Sequence, residues 1–326
     1  HIESSTVIID SSTISNNFSY SYGGGLAIYT NSDITISNTS ITSDTTDNNL
    51  GGGIYIEGGE LRLHNVQVDS NEAKDYGGGI YVSGADTLIV TNTTFNHNTT
   101  IDNSSRGGGL YLDGNSPDDL VTFDQCRIQY NTAGQYGGGV YIYLYSPVFT
   151  NTLITDNELT TSNTTTYGGG IYDPSSSSYS PTFTNVTIAN NTSAANGNAI
   201  WISDGNDKQI TIINSILHDN GEVTPVYIGD ASSTLDISYS DIQYGALAVT
   251  PEVGILNWGT GNIDVDPQFV VTENEDYSLQ STSHCIDTGT ADTDGDGVDD
   301  ITDFNGLAPD MGAYESEFSA IAGCMD

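Results

Sequence analysis

An aspartate-rich loop near the C-terminus is the clearest candidate for metal chemistry. From Asp292 the sequence reads Asp-Thr-Asp-Gly-Asp-Gly-Val-Asp-Asp-Ile-Thr-Asp. Carboxylates stand at positions 1, 3, 5, 9 and 12 of this loop, a glycine at position 6, and a usable backbone carbonyl at position 7. Calcium loops of this length space their oxygen ligands in the same way, so the sequence predicts a calcium site. An acidic, solvated turn is the alternative. The expected ligands are Asp292, Asp294, Asp296, the carbonyl of Val298, Asp300 and Asp303.

A column of aromatic residues is the second candidate site. In seven repeats of the chain an aromatic residue stands between two apolar ones, and alternation along a strand directs it away from the core. We expect these rings to line one outer face. They could stack to stabilise the sheet, or form a platform for sugars or for another copy of the chain. The column comprises Tyr55, Tyr81, Tyr111, Tyr141, Tyr172, Trp201 and Tyr227.

Catalytic residues form no recognisable set in the sequence. His97 and His218 lie about four repeats apart, roughly 19 Å by strand spacing, which is too far for one metal ion. With 43 acidic residues, adjacent carboxylates are expected by chance and do not by themselves indicate a glycosidase. The bases are scattered, unlike the basic cluster that lyase-like β-helices need. They are Arg62, Lys74, Arg106, Arg127 and Lys208. The sequence leaves catalysis uncertain and favours a non-catalytic role.

These candidates belong to a chain built from repeats. A Gly-Gly-Gly triplet followed by apolar, aromatic and apolar residues begins at Gly51, Gly77, Gly107, Gly137 and Gly168. Intervals of 26 to 31 residues are typical of solenoids. A second template, apolar-x-apolar-x-Asn-small-x-apolar-x-x-Asn, alternates with the first in about nine copies. The connections are too short for helices, so the coils must stack in parallel. The sequence predicts an all-β fold, a right-handed parallel β-helix of about nine coils.

Stacking turns each template position into a column. The inward apolar positions, such as Ile54 and Ile41, are predicted to form the core. Cys126 occupies a small inward position and should be buried and inert. A first asparagine column is expected to form an internal amide ladder, and a second one to mark a corner. The first comprises Asn38, Asn65, Asn92, Asn151, Asn185 and Asn214; the second comprises Asn17, Asn71, Asn98, Asn131, Asn157, Asn191 and Asn220, with Asp44.

The charge limits the partners that the chain can have. A formal charge of -38 excludes nucleic acid, which is bound through Lys and Arg, and disfavours an anionic membrane surface. The sequence contains neither a transmembrane run nor a signal peptide, so membrane insertion is not expected. The remaining partners are a polysaccharide, a host or cell surface, or another copy of the chain.

The repeats resemble those of the polymorphic outer-membrane protein family. The shared motifs are Gly-Gly-x-apolar and apolar-x-x-Asn, and the resemblance covers roughly residues 5 to 245. This chain has glycines such as Gly79 where the family often has Ala, and usually Ile where it has Phe. The resemblance implies a surface-exposed β-helix associated with adhesion.

The tail is similar to the choice-of-anchor Q segment of large secreted bacterial β-helix proteins. The similarity rests on residues 266–269, 276–279, 285–289 and 310–315. It implies an extracellular location and three regions: a β-helix at 1–250, a closing segment with the Asp-rich loop at 251–316, and a linker to a downstream module at 317–326. The Asp-rich loop also resembles dockerin and thrombospondin type 3 loops. The pairing of Cys285 and Cys324 stays open.

The sequence thus predicts a secreted or cell-surface bacterial β-helix protein, located extracellularly or on the outer cell surface. Its expected role is structural or adhesive, non-catalytic and stabilised by calcium. The alternative is a β-helix protein that binds or degrades a polysaccharide, as a lyase-like or glycosidase-like enzyme. Acids gathered in one groove would favour the alternative, and scattered acids with a continuous aromatic face would favour the first role.

Overall fold

The computed structural model describes most of the chain. The described residues are 1–30, 32–47, 49–116, 118–161, 166–175, 179–194, 197–202, 207–221, 225–229, 231–251, 254–271 and 276–319. Within them, four parallel sheets of ten, nine, six and nine strands run along a solenoid. The all-β prediction is confirmed, and the predicted nine coils are close to the number found. The described residues contain a single helix, the 3₁₀ turn Gly245–Ala248.

Within the described residues the first six coils contribute one strand to each sheet in turn, and the later coils contribute to the first, second and fourth sheets. The first sheet contains Thr6–Asp10, Asp33–Ser37, Glu60–His64, Thr87–Thr91, Leu120–Asp124, Val148–Thr150, Thr182–Thr184, Gln209–Ile213, Thr234–Ser238 and Ile255–Trp258. The second contains Thr13–Ser15, Ser40–Thr42, Gln67–Asp69, Thr94–Asn96, Arg127–Gln129, Leu153–Thr155, Thr187–Ala189, Ile216–His218 and Asp241–Ile242.

The other two parallel sheets complete the wall. The third contains Phe18–Ser19, Thr45–Thr46, Glu72–Ala73, Thr99–Thr100, Thr132–Ala133 and Glu158–Leu159. The fourth contains Leu26–Ile28, Ile54–Glu57, Ile80–Ser83, Leu110–Asp113, Val140–Tyr143, Ile171–Asp173, Ile200–Ile202, Val226–Ile228 and Val249–Pro251. An antiparallel pair, Phe269–Val271 and Asp276–Leu279, follows.

Glycine triplets permit the close stacking of coils before the first six strands of the fourth sheet. Gly77 has a φ of +65°, a left-handed conformation that glycine adopts without steric cost. A Cβ atom on Gly79 would lie 2.7 Å from the carbonyl oxygen of Gly109 in the next coil. At Gly79 an alanine therefore does not fit without a shift of the backbone.

The core is formed by the predicted inward columns. Ile54, Ile80 and Leu110 are paired in register and fully buried. Cys126 is 1% exposed, and its burial raises the pKa of the thiol to about 12, which confirms the prediction of a buried cysteine. Cys285 is also buried and free, whereas Cys324 lies outside the described residues.

The prediction for the two asparagine columns was wrong about which one is internal. In the first column Asn65 and Asn92 are exposed, and its later members Asn185 and Asn214 are buried. In the second column Asn71 and Asn98 are buried and belong to the interior of the coils. The second column forms the internal ladder: Nδ2 of Asn71 donates to Oδ1 of Asn98 at 3.0 Å.

Corner geometry explains this exchange. At each corner one residue adopts a left-handed conformation and points outwards, so that the next residue points inwards. At the first corner Asn65 itself has a φ of 53° and Val66 points inwards. At the second corner His97 has a φ of 52° and Asn98 points inwards. The repeat template specifies the asparagines but not which neighbour takes the left-handed conformation.

The C-terminal segment folds back along the flank of the solenoid. The hydroxyl of Tyr277 donates to Oδ2 of Asp156 at 2.7 Å and accepts from Nδ2 of Asn190 at 2.9 Å. The backbone nitrogen of Ala313 donates to Oγ1 of Thr187 at 3.0 Å. The segment therefore covers the outer surface of the later strands of the second sheet, around Leu153, Thr187 and Ile216. The boundaries near residues 250 and 316 stay predictions, and residues 320–326 lie outside the described part.

Candidate functional site

The Asp-rich loop brings three of its predicted ligands together. Ligand oxygens of Asp292, Asp294 and Asp300 all lie within 4.8 Å of one another. Calcium binds oxygen at 2.3–2.6 Å, so ligands on opposite sides of one ion lie roughly 5 Å apart. The three carboxylates fit one calcium ion in spacing and in donor type.

Local hydrogen bonds hold the loop in this conformation. The two carboxylate oxygens of Asp292 accept from the backbone nitrogens of Gly295 at 2.7 Å and Gly297 at 2.9 Å. Both glycines have positive φ, which the turn requires. Oδ2 of Asp300 accepts from the nitrogen and from the hydroxyl of Thr293, and these bonds lower the pKa of Asp300.

The remaining predicted ligands stand apart from this group. Oδ1 of Asp296 accepts from the backbone nitrogen of Val298 at 2.8 Å. Neither Asp296 nor Asp303 belongs to the group of three among the described residues. The assignment of Asp296, Val298 and Asp303 as ligands stays a prediction.

The aromatic column exists as a stack of rings. Centroids of Tyr55, Tyr81, Tyr111 and Tyr141 follow one another at 5.5, 5.0 and 4.5 Å, with interplanar angles of 6°, 13° and 6°. At the far end Trp201 and Tyr227 stack at 3.7 Å. The register of the fourth sheet places these rings one above another.

Most of this stack is buried, contrary to the expectation of an open outer face. Side chains from Tyr55 to Tyr172 in the column are only 4% to 9% exposed, although Trp201 and Tyr227 are half-buried. A second row of residues, each directly before a glycine triplet, packs over the stack. This outer row comprises Leu50, Tyr76, Arg106, Tyr136 and Tyr167. Their recurrence at that position was a usable sequence signal, which our sequence reasoning missed.

Arg106 lies within the aromatic cluster. Its guanidinium carbon lies 5.5 Å from the ring centroids of Tyr76 and Tyr136 and 5.3 Å from that of Tyr141. Its Nη1 donates to the hydroxyl of Tyr141 at 3.1 Å. Cation–π contacts of this kind stabilise the cluster. Burial raises the pKa of Tyr141, which keeps its hydroxyl neutral.

A cleft opens where the C-terminal segment crosses the first asparagine column. We call it the flank cleft; its volume is about 670 Å³. One wall belongs to the solenoid and the other to the C-terminal segment. It is lined by Asn92, Gln125, Cys126, Arg127, Thr150, Asn151, Asn185, Asp300, Ile301, Thr302, Asp303, Ala313, Tyr314 and Glu315. The Asp-rich loop thus contributes directly to its wall.

Charged groups in the flank cleft are mostly committed to local contacts. The two carboxylate oxygens of Glu315 accept from the backbone nitrogens of Asn305 at 2.9 Å and Asp310 at 3.0 Å. Burial raises the pKa of Glu315. Arg127 lies over the ring of Tyr314, with its guanidinium carbon 5.6 Å from the centroid. No periodic pattern predicts these contacts, because the C-terminal segment lies outside the repeats.

A groove continues from the flank cleft along the N-terminal coils. It shares Asn92, Gln125 and Arg127 with the cleft and also contains the exposed amides of Asn38 and Asn65. We call it the amide groove. It runs along the first corner of successive coils, where Asn38, Asn65, Asn92 and Gln125 each present an amide and the first coil presents Ser11.

Two further buried groups lie outside these sites. Lys208 and Asp173 form a fully buried ion pair, with Nζ 2.8 Å from Oδ1. Asp241 is fully buried beside Cys285, whose Sγ lies 3.3 Å from its Oδ2. Burial raises the pKa of Asp241 to about 6. Both pairs join segments that are distant in sequence, so the repeat templates did not reveal them.

Within the described residues, no helix is both long and apolar enough to cross a membrane. No curated protein and no solved structure matches the chain significantly. A family model described as right handed beta helix region matches residues 1–183 and, in a second overlapping match, residues 103–270. The polymorphic outer-membrane and choice-of-anchor resemblances are finer and stay predictions. The matches span most of the chain and agree with its parallel solenoid, so the chain belongs to the right-handed beta helix family.

Proposed function

We propose that this chain is a secreted or cell-surface rod with a structural and adhesive role, which binds a partner along its flank without catalysing a reaction. The β-helix fold is consistent both with this role and with a polysaccharide-active protein. The choice between them depends on the chemistry of the flank cleft.

The main support for a non-catalytic role comes from the hydrogen bonds of the carboxylates in the flank cleft. Glu315 and Asp300 have pKa values shifted in opposite directions, as an acid and a base in a glycosidase would. Both oxygens of Glu315, however, accept backbone N–H groups of their own segment. Asp300 is bonded to Thr293 and belongs to the group of three carboxylates. These bonds give both residues a role in holding the C-terminal segment, which favours binding over catalysis.

The bonding of the basic residues supports the same conclusion. Arg62 contacts Asp33 and Glu60, Arg106 is packed among tyrosines, and Lys208 is paired with Asp173. A lyase requires a base near the substrate that is free to take a proton. These three bases serve packing and ion pairs instead, and Arg127, which lines the flank cleft, lies over the ring of Tyr314.

Calcium is proposed as the ion of the Asp-rich loop, held by Asp292, Asp294 and Asp300. A bound cation would offset the repulsion between three neighbouring carboxylates. Because Asp300 and Asp303 also line the flank cleft, the ion would fix one wall of the binding site. The partner would be a polysaccharide, a cell surface or another copy of the chain.

Incubation with a panel of insoluble polysaccharides tests the proposal. The panel contains cellulose, xylan, mannan, chitin and calcium pectate, each incubated with the full chain in calcium buffer. Retention on at least one polymer, without new reducing ends or unsaturated uronates in the supernatant, is the expected result. Product formation that is lost in Glu315→Gln would overturn the non-catalytic role and favour the polysaccharide-degrading alternative.

A further inference from the structure

One wall of the flank cleft contains a buried oxygen atom that lacks a hydrogen-bond partner. Asn185 is 8% exposed, and its Nδ2 donates to Oδ1 of Asn151 at 3.3 Å. The other amide atom, Oδ1 of Asn185, is buried and accepts no hydrogen bond from any described residue. An unsatisfied buried acceptor costs free energy. An occupant of the cleft that donates a hydrogen bond would satisfy this acceptor once the Asn185 side chain turns its oxygen into the cleft.

The rest of the lining offers both donors and acceptors. Amides of Asn92 and Gln125 and the guanidinium of Arg127 can donate, while carboxylates of Asp300 and Asp303 can accept. Small apolar surfaces are interspersed, contributed by Ile301, Ala313 and Tyr314. Hydroxyl groups can both donate and accept, and sugar rings also carry apolar C–H faces. A sugar matches this mixture better than an apolar ligand does.

Charge favours an uncharged ligand over an acidic one. The flank cleft contains one cation, Arg127, against the carboxylates of Asp300, Asp303 and Glu315. The chain as a whole carries a formal charge of -38. A uronate or sulfated chain would be repelled by the cleft carboxylates and by the charge of the whole chain. An uncharged sugar therefore suits the site better.

The shape of the amide groove indicates how long the ligand is and how it is oriented. The groove and the cleft share three residues and form one continuous depression along the coils. Asn38, Asn65 and Asn92 present exposed amides at successive coils, roughly 4.8 Å apart by strand spacing. A regular series of this kind suits an extended, repeating ligand lying parallel to the axis of the solenoid.

We propose that the flank cleft and the amide groove together bind one uncharged, extended glycan chain, with one sugar hydroxyl donating to Oδ1 of Asn185. This proposal rests on the adhesive function proposed above and specifies its partner. The amide groove holds the chain along the coils, and the flank cleft, roofed by the C-terminal segment, holds its end.

Calorimetric titration with soluble oligosaccharides tests the site. The probes are neutral oligomers of glucose, xylose and mannose, with oligogalacturonate of equal length as the anionic comparison. Two variants remove lining groups: Arg127→Ala, on the exposed surface, and Asn185→Gly, which suits the left-handed backbone at that position. Arg62→Ala is the matched control, because Arg62 lies on the first sheet outside the site.

We expect at least one neutral oligomer to bind, and each site variant to bind it about tenfold more weakly or worse. Arg62→Ala should bind as the unmodified chain does. Tighter binding of oligogalacturonate than of every neutral oligomer would overturn the proposed site. So would an affinity of Arg127→Ala and Asn185→Gly for the neutral oligomer that equals the affinity of the unmodified chain. If no oligomer binds although the chain is retained on an insoluble polymer, this inference fails and the adhesive function stands. If an oligomer binds in the site and is cleaved, the site stands and the non-catalytic function fails.

Discussion

Oδ1 of Asn131 accepts two hydrogen bonds from Asn98, one from its backbone nitrogen and one from its Nδ2, both 3.0 Å long. Nδ2 of Asn98 also donates to the carbonyl of Val68 in the preceding coil at 2.9 Å. Each amide in the ladder therefore joins three coils. Like pairs extend the ladder through Asn71, Asn157, Asn191 and Asn220.

Removing one amide from this ladder should destabilise the rod. In Asn98→Ala the buried backbone nitrogen and Nδ2 of Asn71 lose their acceptor, and Val68 loses a donor. We expect a loss of about 2–4 kcal/mol in the free energy of unfolding, measured by denaturant titration. Asn65→Gly is the matched control, because Asn65 is exposed and glycine accepts its left-handed conformation. Equal effects of the two changes would refute the internal ladder.

Gly79→Ala should be more damaging than its size suggests. The added methyl would lie 2.7 Å from the carbonyl oxygen of Gly109 and about 3.0 Å from the amide of Asn98. We expect a lower melting temperature and a cost of about 1–3 kcal/mol, or failure to fold. For comparison, a Cβ atom added in Gly295→Ala would lie within 4 Å of no other atom. This change should cost only the strain of placing alanine in a left-handed backbone conformation. An unchanged melting temperature in Gly79→Ala would contradict the observed stacking distance.

Cys126 should resist alkylation while the rod is folded. It is 1% exposed, and its raised pKa leaves almost no thiolate at neutral pH. Peptide-resolved mass spectrometry after iodoacetamide treatment should find this residue labelled only in denaturant. Rapid labelling in native buffer would mean that the coil register around Cys126 is wrong.

Stability should fall as the pH rises through the titration range of Asp241. Its folded pKa is about 6, above the unfolded value near 3.9, so the folded chain binds the additional proton between these values. Asp241 contributes about 3 kcal/mol to the free energy of unfolding below about pH 4, and this contribution is lost as the pH rises through 6. His218 lowers the pKa and Asp264 raises it, but burial dominates.

Asp241→Asn isolates this effect from the other acids. The amide keeps an acceptor for the backbone nitrogen of Val265 and cannot ionise. Denaturant unfolding across this pH range should show the variant gaining stability relative to the unmodified chain as the pH rises. A constant difference between the two proteins would show that Asp241 does not titrate in the folded state.

Calcium should stabilise the C-terminal segment through the Asp-rich loop. We expect a calcium-dependent rise in the melting temperature that Asp294→Asn weakens, because this change removes one charge from the group of three. Asp47→Asn, far from the loop in sequence, is the control and should keep the full response. A calcium response that is equal in both variants would place the ion elsewhere.

The repeat pattern predicted those parts of the fold that recur in every coil. Inward columns such as Ile80 and its neighbours follow from alternation, and the burial of Cys126 follows from the same register. The burial of the tyrosine stack depends instead on the outer row, in which Tyr76 stacks on Tyr111 of the next coil. An aromatic column that points away from the core can thus still be covered by the connectors that precede its strands.

The sequence predicted the carboxylate cluster of the candidate site but not the flank cleft. The spacing of Asp292, Asp294 and Asp300 indicated a cluster, and these three residues do converge. The flank cleft depends on contacts such as that between Tyr277 and Asp156, which are 121 residues apart. Neither propensity nor periodicity encodes such a contact, because the C-terminal segment is irregular. Only the packed structure reveals where it meets the asparagine column.

A crystal structure of the chain grown in calcium with a bound neutral oligosaccharide tests the central claim most directly. The account predicts an intact sugar chain lying over Arg127 and Asn92, a hydroxyl within hydrogen-bond distance of Oδ1 of Asn185, and an ion between Asp292, Asp294 and Asp300. A sugar bound on another face, or a cleaved product between Asp300 and Glu315, would contradict the account of a non-catalytic rod that binds its partner along the flank.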